Sequence, residues 1–125
     1  RTPDDTIIYE NLVRTEYLRQ CGGHRFADDK QLDLRVIAYY PIPSSKSKKQ
    51  QRLMEAGMIR PTKKPDTDNV LKVIADSLNQ VAYKDDAQVV DTMVRKFYSR
   101  IPRTVVLISE AVPRGPFDGG GGAGE

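Results

Sequence analysis

Apolar residues recur at helical spacing in two segments of this chain. In residues 6–20 and again in residues 66–80, apolar positions lie three and four residues apart, which predicts two amphipathic helices. The side chains predicted to face the core are Tyr9, Leu12, Val13 and Tyr17 in the first helix, and Leu71, Ile74, Ala75 and Leu78 in the second. Residues 46–57 predict a third helix, which has few apolar side chains and should lie at the surface.

Three other segments have the pattern of strands. Residues 32–40 alternate apolar and polar positions, so that every second side chain, from Leu32 to Tyr40, falls on one apolar face. Residues 88–98 and 103–110 also predict strands, and we expect these two to be antiparallel neighbours joined around Pro102. The element order predicts a small α/β (α+β) domain, with a mixed sheet packed by two or three helices.

Length and composition fit one domain followed by a tail. Of the 125 residues, 1–112 carry the predicted elements, whereas 113–125 are rich in Gly and Pro and predict a disordered tail. No apolar run approaches the roughly 20 residues of a membrane span. Cys21 is the only cysteine and His24 the only histidine, which excludes an internal disulfide and a cysteine-rich zinc site. We therefore expect a cytoplasmic protein with His24 in a solvated loop.

The positive charge of the chain is concentrated in residues 46–64, called the basic segment below. It holds seven basic residues and one acid, a local charge of +6 in a chain whose net charge is +3. The basic residues are Lys46, Lys48, Lys49, Arg52, Arg60, Lys63 and Lys64. Such a segment is either a surface that binds a polyanion or a solvated loop, and charge alone does not separate the two.

Two pairs of aspartates are candidates for metal chemistry. Asp66 and Asp68 lie at the start of the second amphipathic helix, where they either cap the helix or converge on a cation. Asp85 and Asp86 lie in the loop before the next predicted strand, and spacing alone does not show that they reach the first pair. Several carboxylates at one place would repel one another without a cation. Oxygen ligands favour Mg²⁺ or Mn²⁺ over zinc.

Lys72 follows Asp68 by one helical turn and precedes Asp76 by another. It forms an ordinary surface ion pair with one of these acids, or it is a cation beside the metal site that stabilises charge on a phosphate. The sequence leaves both interpretations open.

These motifs together resemble the RusA family of Holliday junction resolvases, which are often carried by phages and prophages. The resemblance lies in residues 64–72 (KPDTDNVLK), in Asp76 and Leu78, and in residues 83–90 (YKDDAQVV), with weaker matches at Tyr9-Glu10, residues 40–44 and Lys96. A single D-x-D-N motif is weak, but D-x-D-N followed by Lys72 and then by D-D-x-Q-V is specific.

The resemblance implies a role for each matching residue. Asp66, Asp68 and Asp86 would bind the catalytic Mg²⁺ (Mn²⁺ is possible), Lys72 would assist at the phosphate, and Asp76 and Asp85 would be supporting acids. It further implies a homodimer that resolves a four-way DNA junction by paired symmetric nicks, one site for each strand. The expected DNA-binding residues are Lys46, Lys48, Lys49, Arg52, Lys63, Lys64 and Lys96.

The chain departs from the family pattern at its start. Family members usually begin with a strand and a Gly/Pro/Arg-rich segment before the first helix, whereas this sequence opens with Arg1-Thr2-Pro3. This departure leaves open whether the sheet and the DNA-binding surface of the family are complete in this sequence. Three other functions remain open: a nuclease for other branched DNA, a DNA-binding protein that does not cleave, and an interaction module whose acids only solvate the fold.

Overall fold

A computed structural model describes residues 3–117 as a small α+β domain. The helices and strands are α1 (Pro3–Cys21), β1 (Leu32–Pro41), α2 (Lys48–Glu55), α3 (Thr67–Ser77), β2 (Val89–Ser99) and β3 (Arg103–Glu110). A short 3-10 turn, Asp86–Gln88, precedes β2. The three helices and three strands predicted from the sequence are all present, and their ends differ from the prediction by a few residues.

The order of the strands corrects one prediction. In the part of the chain that the structure describes, the sheet has the order β2-β1-β3, with β2 parallel and β3 antiparallel to β1. β2 and β3 run in opposite directions, as expected, but they are not neighbours, because β1 lies between them. The expectation that they pair with each other was therefore wrong.

β1 is both the central strand of the sheet and its most buried one. Leu32, Leu34 and Val36 are fully buried and Ala38 is 7% exposed, and both backbone edges of the strand are hydrogen-bonded to neighbours. The link between β2 and β3 comprises residues 100–102, and it has to cross two strand spacings of about 4.8 Å each. An extended link of this length reaches about 10 Å or more, so the crossing is feasible.

The core lies between the β1 face just described and helices α1 and α3. Ile74 of α3 and Leu78, the C-cap residue of that helix, are buried against it, with 0% and 1% exposure, as predicted. Leu71 and Ala75 are partly buried beside them, and so are Tyr9, Val13 and Tyr17 of α1. Leu12 is wrongly predicted, since its side chain is 58% exposed. The core face of α1 is narrower than its apolar pattern suggests.

α2 and the loop after it pass along the free edge of β2. Met54 is the buried residue of α2 and is 4% exposed, while its basic side chains face solvent, as expected. Gly57 has a φ of 82° and its Cα lies beside the Phe97 ring, where an added Cβ would be 3.4 Å from the ring. Arg60 donates from Nε to the carbonyl oxygen of Lys96 at 2.9 Å and lies 4.2 Å from the Phe97 ring. These contacts fix the chain that leads into α3.

The remaining predictions concern the loops and the tail. His24 is exposed, as predicted, and its ring meets Phe26 edge to face at 4.7 Å. Residues 113–117 form neither helix nor strand, and residues 118–125 of the predicted tail lie outside the described residues. Among the helices that the structure describes, none is both long and apolar enough to cross a membrane.

Candidate active site

Asp66 and Asp68 lie at the N-terminal end of α3, but the side chain of Asp66 does not cap the helix. Asp66 is the N-cap residue, with φ −71° and ψ 165°, and its carboxylate accepts no capping hydrogen bond. Instead, Asn69 donates from Nδ2 to Asp66 Oδ1 at 3.1 Å. Asp68 lies in the first turn, where the positive end of the helix dipole favours a carboxylate. Both carboxylates are exposed and remain available to a cation.

A pocket of about 370 Å³ lies between α3 and β2, and it brings motif residues from both elements together. We call it the acidic pocket. Its lining residues are Leu34, Asp68, Leu71, Lys72, Ala75, Asp86, Val89 and Thr92. The aspartate of the first motif and that of the second therefore share one pocket with Lys72. Asp66 is not part of this lining.

Asp86 is held in place by Asn79, just beyond the end of α3, and acidic side chains lie near it. Its backbone N–H donates to Asn79 Oδ1 at 2.8 Å. Burial is the main cause that raises the pKa of Asp86, and a hydrogen bond with Asp85 and repulsion by Asp85 and Asp76 act in the same direction. A hydrogen bond between the Asp86 carboxyl group and the Asn79 side chain opposes this shift. A cation at Asp86 would relieve the repulsion among these carboxylates.

Asp85 and Gln88 hold the turn that carries Asp86. The two residues form a capping box, in which the side chain of each accepts from the backbone N–H of the other, and Ala87 N–H also donates to Asp85 Oδ1 at 3.0 Å. That bond, followed by the one with Asp86, lowers the pKa of Asp85. The amide of Gln88 also ties the turn to the loop before β1. It accepts from the backbone N–H groups of Lys84 and Asp85 and donates to the carbonyl oxygens of Ala27 and Lys30.

We predict that Gln88→Leu lowers stability by about 1–2 kcal/mol, because it removes these hydrogen bonds. The expected fall in melting temperature is roughly 3–8 °C. Thermal unfolding measures it, with Gln50→Leu on exposed α2 as the matched control. An unchanged melting temperature would mean that the turn keeps its position without the Gln88 amide.

Lys72 forms the surface ion pair that the sequence left open, and its partner is Asp76. Lys72 Nζ lies 3.6 Å from Asp76 Oδ2, with the two side chains 76% and 40% exposed. An exposed pair of this kind contributes only about 0–1 kcal/mol. Turning Lys72 toward a phosphate in the acidic pocket would therefore cost little.

The predicted DNA-binding cations fall into two groups. The first group is exposed on α2 or just before it and comprises Lys46, Lys48, Lys49 and Arg52. The second group comprises Lys63 and Lys64, which are exposed in the loop before α3, together with Lys96 of β2. Lys96 is half-buried, and its Nζ donates to the carbonyl oxygen of Lys63 at 2.5 Å. Lys63 Nζ and Lys96 Nζ lie 5.7 Å and 5.5 Å from the Tyr40 ring. This second group lies next to the start of α3, since Tyr40 donates to the carbonyl oxygen of Pro65 at 3.3 Å.

The donor set suits a hard divalent cation that is only partly held by protein. Among the described residues, no group of three or more His, Cys, Asp or Glu side chains is close enough to hold a metal ion by itself. Mg²⁺ does not require such a cage, because it is commonly held by one or two carboxylates together with waters and substrate phosphates. Asp68 and Asp86 in one pocket meet that requirement, with Asp66 at the adjoining helix start.

Sequence reasoning missed the residues that position Asp86. Asn79 falls in the predicted helix 66–80 but lies just beyond the end of α3, where its side chain reaches the turn. Gln88 was assigned to the start of a strand. Its spacing from Asp85 is the D-x-x-Q pattern of a capping box, and this signal could have identified it.

The chain belongs to the RusA family. The model of this family, described as endodeoxyribonuclease RusA, matches residues 1–109. Among curated proteins, the chain is similar to YqaN, an uncharacterized protein of Bacillus subtilis (strain 168), with 49% identity over 79 residues. The match covers 63% of this chain and 56% of that protein, so the chain spans about half the length of this relative. No solved structure matches the chain.

Proposed function

We propose that this chain is a divalent-metal-dependent endodeoxyribonuclease that resolves four-way DNA junctions by paired symmetric nicks. The observation that carries the proposal is the acidic pocket, in which Asp68, Lys72 and Asp86 come together from α3 and the turn before β2. Membership of an endodeoxyribonuclease family supports the same reaction class. The choice of a four-way junction, with a role in recombination and repair, rests on the family alone.

Asp68 and Asp86 are the proposed ligands of Mg²⁺ or Mn²⁺, with Asp66 as a third. When bound, the cation would supply a polarised water and charge neutralisation at the phosphate. Asp76 and Asp85 are the proposed supporting acids. Their negative charge near Asp86 favours a cation there, and Asp85 also holds the turn that carries Asp86. The exposed carboxylate of Asp66 is directed by Asn69 rather than used up in capping, which is consistent with this role.

Lys72 is proposed to bind the phosphate that is cut. Its ammonium group is weakly held by Asp76 and lines the acidic pocket. A positive charge at this place stabilises the additional negative charge that develops when water attacks phosphorus and the bond to the 3′ oxygen breaks. The basic segment and Lys96 are proposed to hold phosphates on either side, which positions DNA without reading its sequence.

Paired symmetric nicks require two active sites, and the proposed assembly is a homodimer. A two-fold dimer presents the same pocket to two opposed strands of a four-way junction. Sedimentation of the free chain and of its junction complex tests this assembly. We expect two copies for each junction.

Cleavage of a synthetic four-way junction with Mg²⁺, with Mn²⁺ or with EDTA tests the reaction. We expect symmetric nicks with either metal and uncut junction with EDTA. Flaps and forks are included as substrates, since equal cutting of these would identify a nuclease for branched DNA in general. Junction binding without any cutting, equal with Mg²⁺ and EDTA, would leave a DNA-binding protein.

A further inference from the structure

A second pocket, of about 220 Å³, lies on the other flank of α3, between α1 and the carboxyl end of β1. We call it the Tyr40 pocket. It is lined mainly by aromatic and aliphatic side chains, and the lining residues include Tyr9, Tyr40, Pro65, Asn69 and Val73. The volume is below the roughly 300–1,000 Å³ that encloses a drug-sized ligand, and it suits a single flat heterocycle.

The surroundings of this pocket favour a nucleotide over a neutral apolar molecule. Two ammonium groups, from Lys63 and Lys96, lie within 6 Å of the Tyr40 ring. Sites for unpaired nucleic acid combine such cations, which track the backbone, with aromatic rings on which bases stack. The pocket also offers a polar group for a base edge. Asn69 donates from its amino group to Asp66 Oδ1, and its carbonyl oxygen is an acceptor.

The Tyr40 pocket and the acidic pocket lie on two sides of α3. The residues Asn69, Val70 and Val73 line the Tyr40 pocket, whereas Asp68, Leu71, Lys72 and Ala75 line the acidic pocket. These positions lie on two flanks of one helix, and a helix with its side chains is about 10–12 Å across. One DNA strand advances about 3.4 Å per nucleotide. A strand that passes the start of α3 therefore bridges the pockets with about three nucleotides.

We propose that the Tyr40 pocket binds one unstacked base of the DNA, about three nucleotides from the phosphate in the acidic pocket. This inference rests on the proposed function, because the acidic pocket fixes the position of the strand. Bases at a branch point are less firmly paired and stacked than those in a duplex, so their extrusion costs less there. The pocket would thereby favour branched DNA over duplex DNA.

An abasic scan tests the proposal. One base at a time is removed around the branch point of a four-way junction, and the dissociation constant is measured in EDTA with the full chain. We expect one position to weaken binding by about 5- to 150-fold, the range for a base stacked on an aromatic side chain. A flat scan would overturn the proposal.

The variant Val73→Phe ties the effect to the pocket, because the larger ring fills the space next to Tyr40. We expect it to bind the intact junction as weakly as the wild type binds the abasic one, and to be insensitive to the base removal. Val105→Phe, the same change on β3 at a half-buried position, is the control and should keep the wild-type scan. If Val73→Phe lowers the melting temperature, Val73→Leu replaces it.

The abasic scan and the cleavage assay test the base pocket and the nuclease activity separately. A positive scan in a chain that cuts no junction would retain the base pocket and reject the nuclease. Symmetric cutting together with a flat scan would do the opposite. A Val73→Phe variant that still responds to the base removal would place the unstacked base elsewhere and so overturn the assignment.

Discussion

Asp68→Asn is expected to reduce junction cleavage by at least about 100- to 1,000-fold while DNA binding is kept. Neutral Asn is a weaker ligand for a divalent cation, and the charge stabilisation lost at the phosphate amounts to several kcal/mol, with about 1.4 kcal/mol for each factor of ten. Removing a negative charge beside a phosphate should leave binding unchanged or slightly tighter. Single-turnover cleavage with Mg²⁺ and binding in EDTA measure the two effects separately.

The matched control is Asp28→Asn, which makes the same chemical change at an exposed residue in the loop before β1. It should cut at the wild-type rate. A second measurement follows the bound metal directly: Mg²⁺ should raise the melting temperature of the wild type more than that of Asp68→Asn, because a ligand that binds only the folded state stabilises it. Wild-type cutting by Asp68→Asn would remove this residue from the catalytic set.

Local sequence pattern was enough to find the three α-helices and three strands of residues 3–117, but not the order of the strands. Leu34 and Ile74 follow the period of a strand and of a helix, and both are fully buried. The pairing of β2 and β3 failed because a three-residue link usually joins neighbouring strands. In the structure β1, whose apolar side chains are the most buried of the sheet, takes the place between them. Pairing is a property of the whole sheet, which no local window contains.

The candidate site shows the same division between local and long-range information. Spacing placed Asp66 and Asp68 at a helix start, and the structure agrees. Whether Asp86 would reach them depends on how α3 and β2 pack, and the structure joins Asp68 and Asp86 in one pocket. The capping interpretation proved correct for the position of Asp66 and incorrect for its side chain, which leaves that carboxylate for other partners.

Replacing Lys48, Lys49 and Arg52 with alanine is expected to weaken junction binding and to flatten its dependence on salt. All three side chains are exposed on α2, so they are free to meet phosphates and contribute little to the core. Each neutralised phosphate makes the slope of log K against log salt steeper by about 0.9. Loss of three contacts should therefore make the slope less steep by about 2.7. Binding titrations between about 50 and 200 mM salt measure it.

The size of this change also reports on the assembly. A homodimer loses about six contacts rather than three, so its slope should be less steep by about 5. Raising the salt from about 50 to 200 mM should then weaken junction binding by the variant roughly 1,000-fold less than binding by the wild type. Replacing Arg19, Arg25 and Lys30, which are exposed on α1 and in the loop after it, changes the charge equally and is the control. Equal effects of both triple variants would mean that only net charge matters. An unchanged slope in the α2 variant would make the basic segment a solvated surface, and the DNA backbone would then have to be held by Lys63, Lys64 and Lys96 near the start of α3.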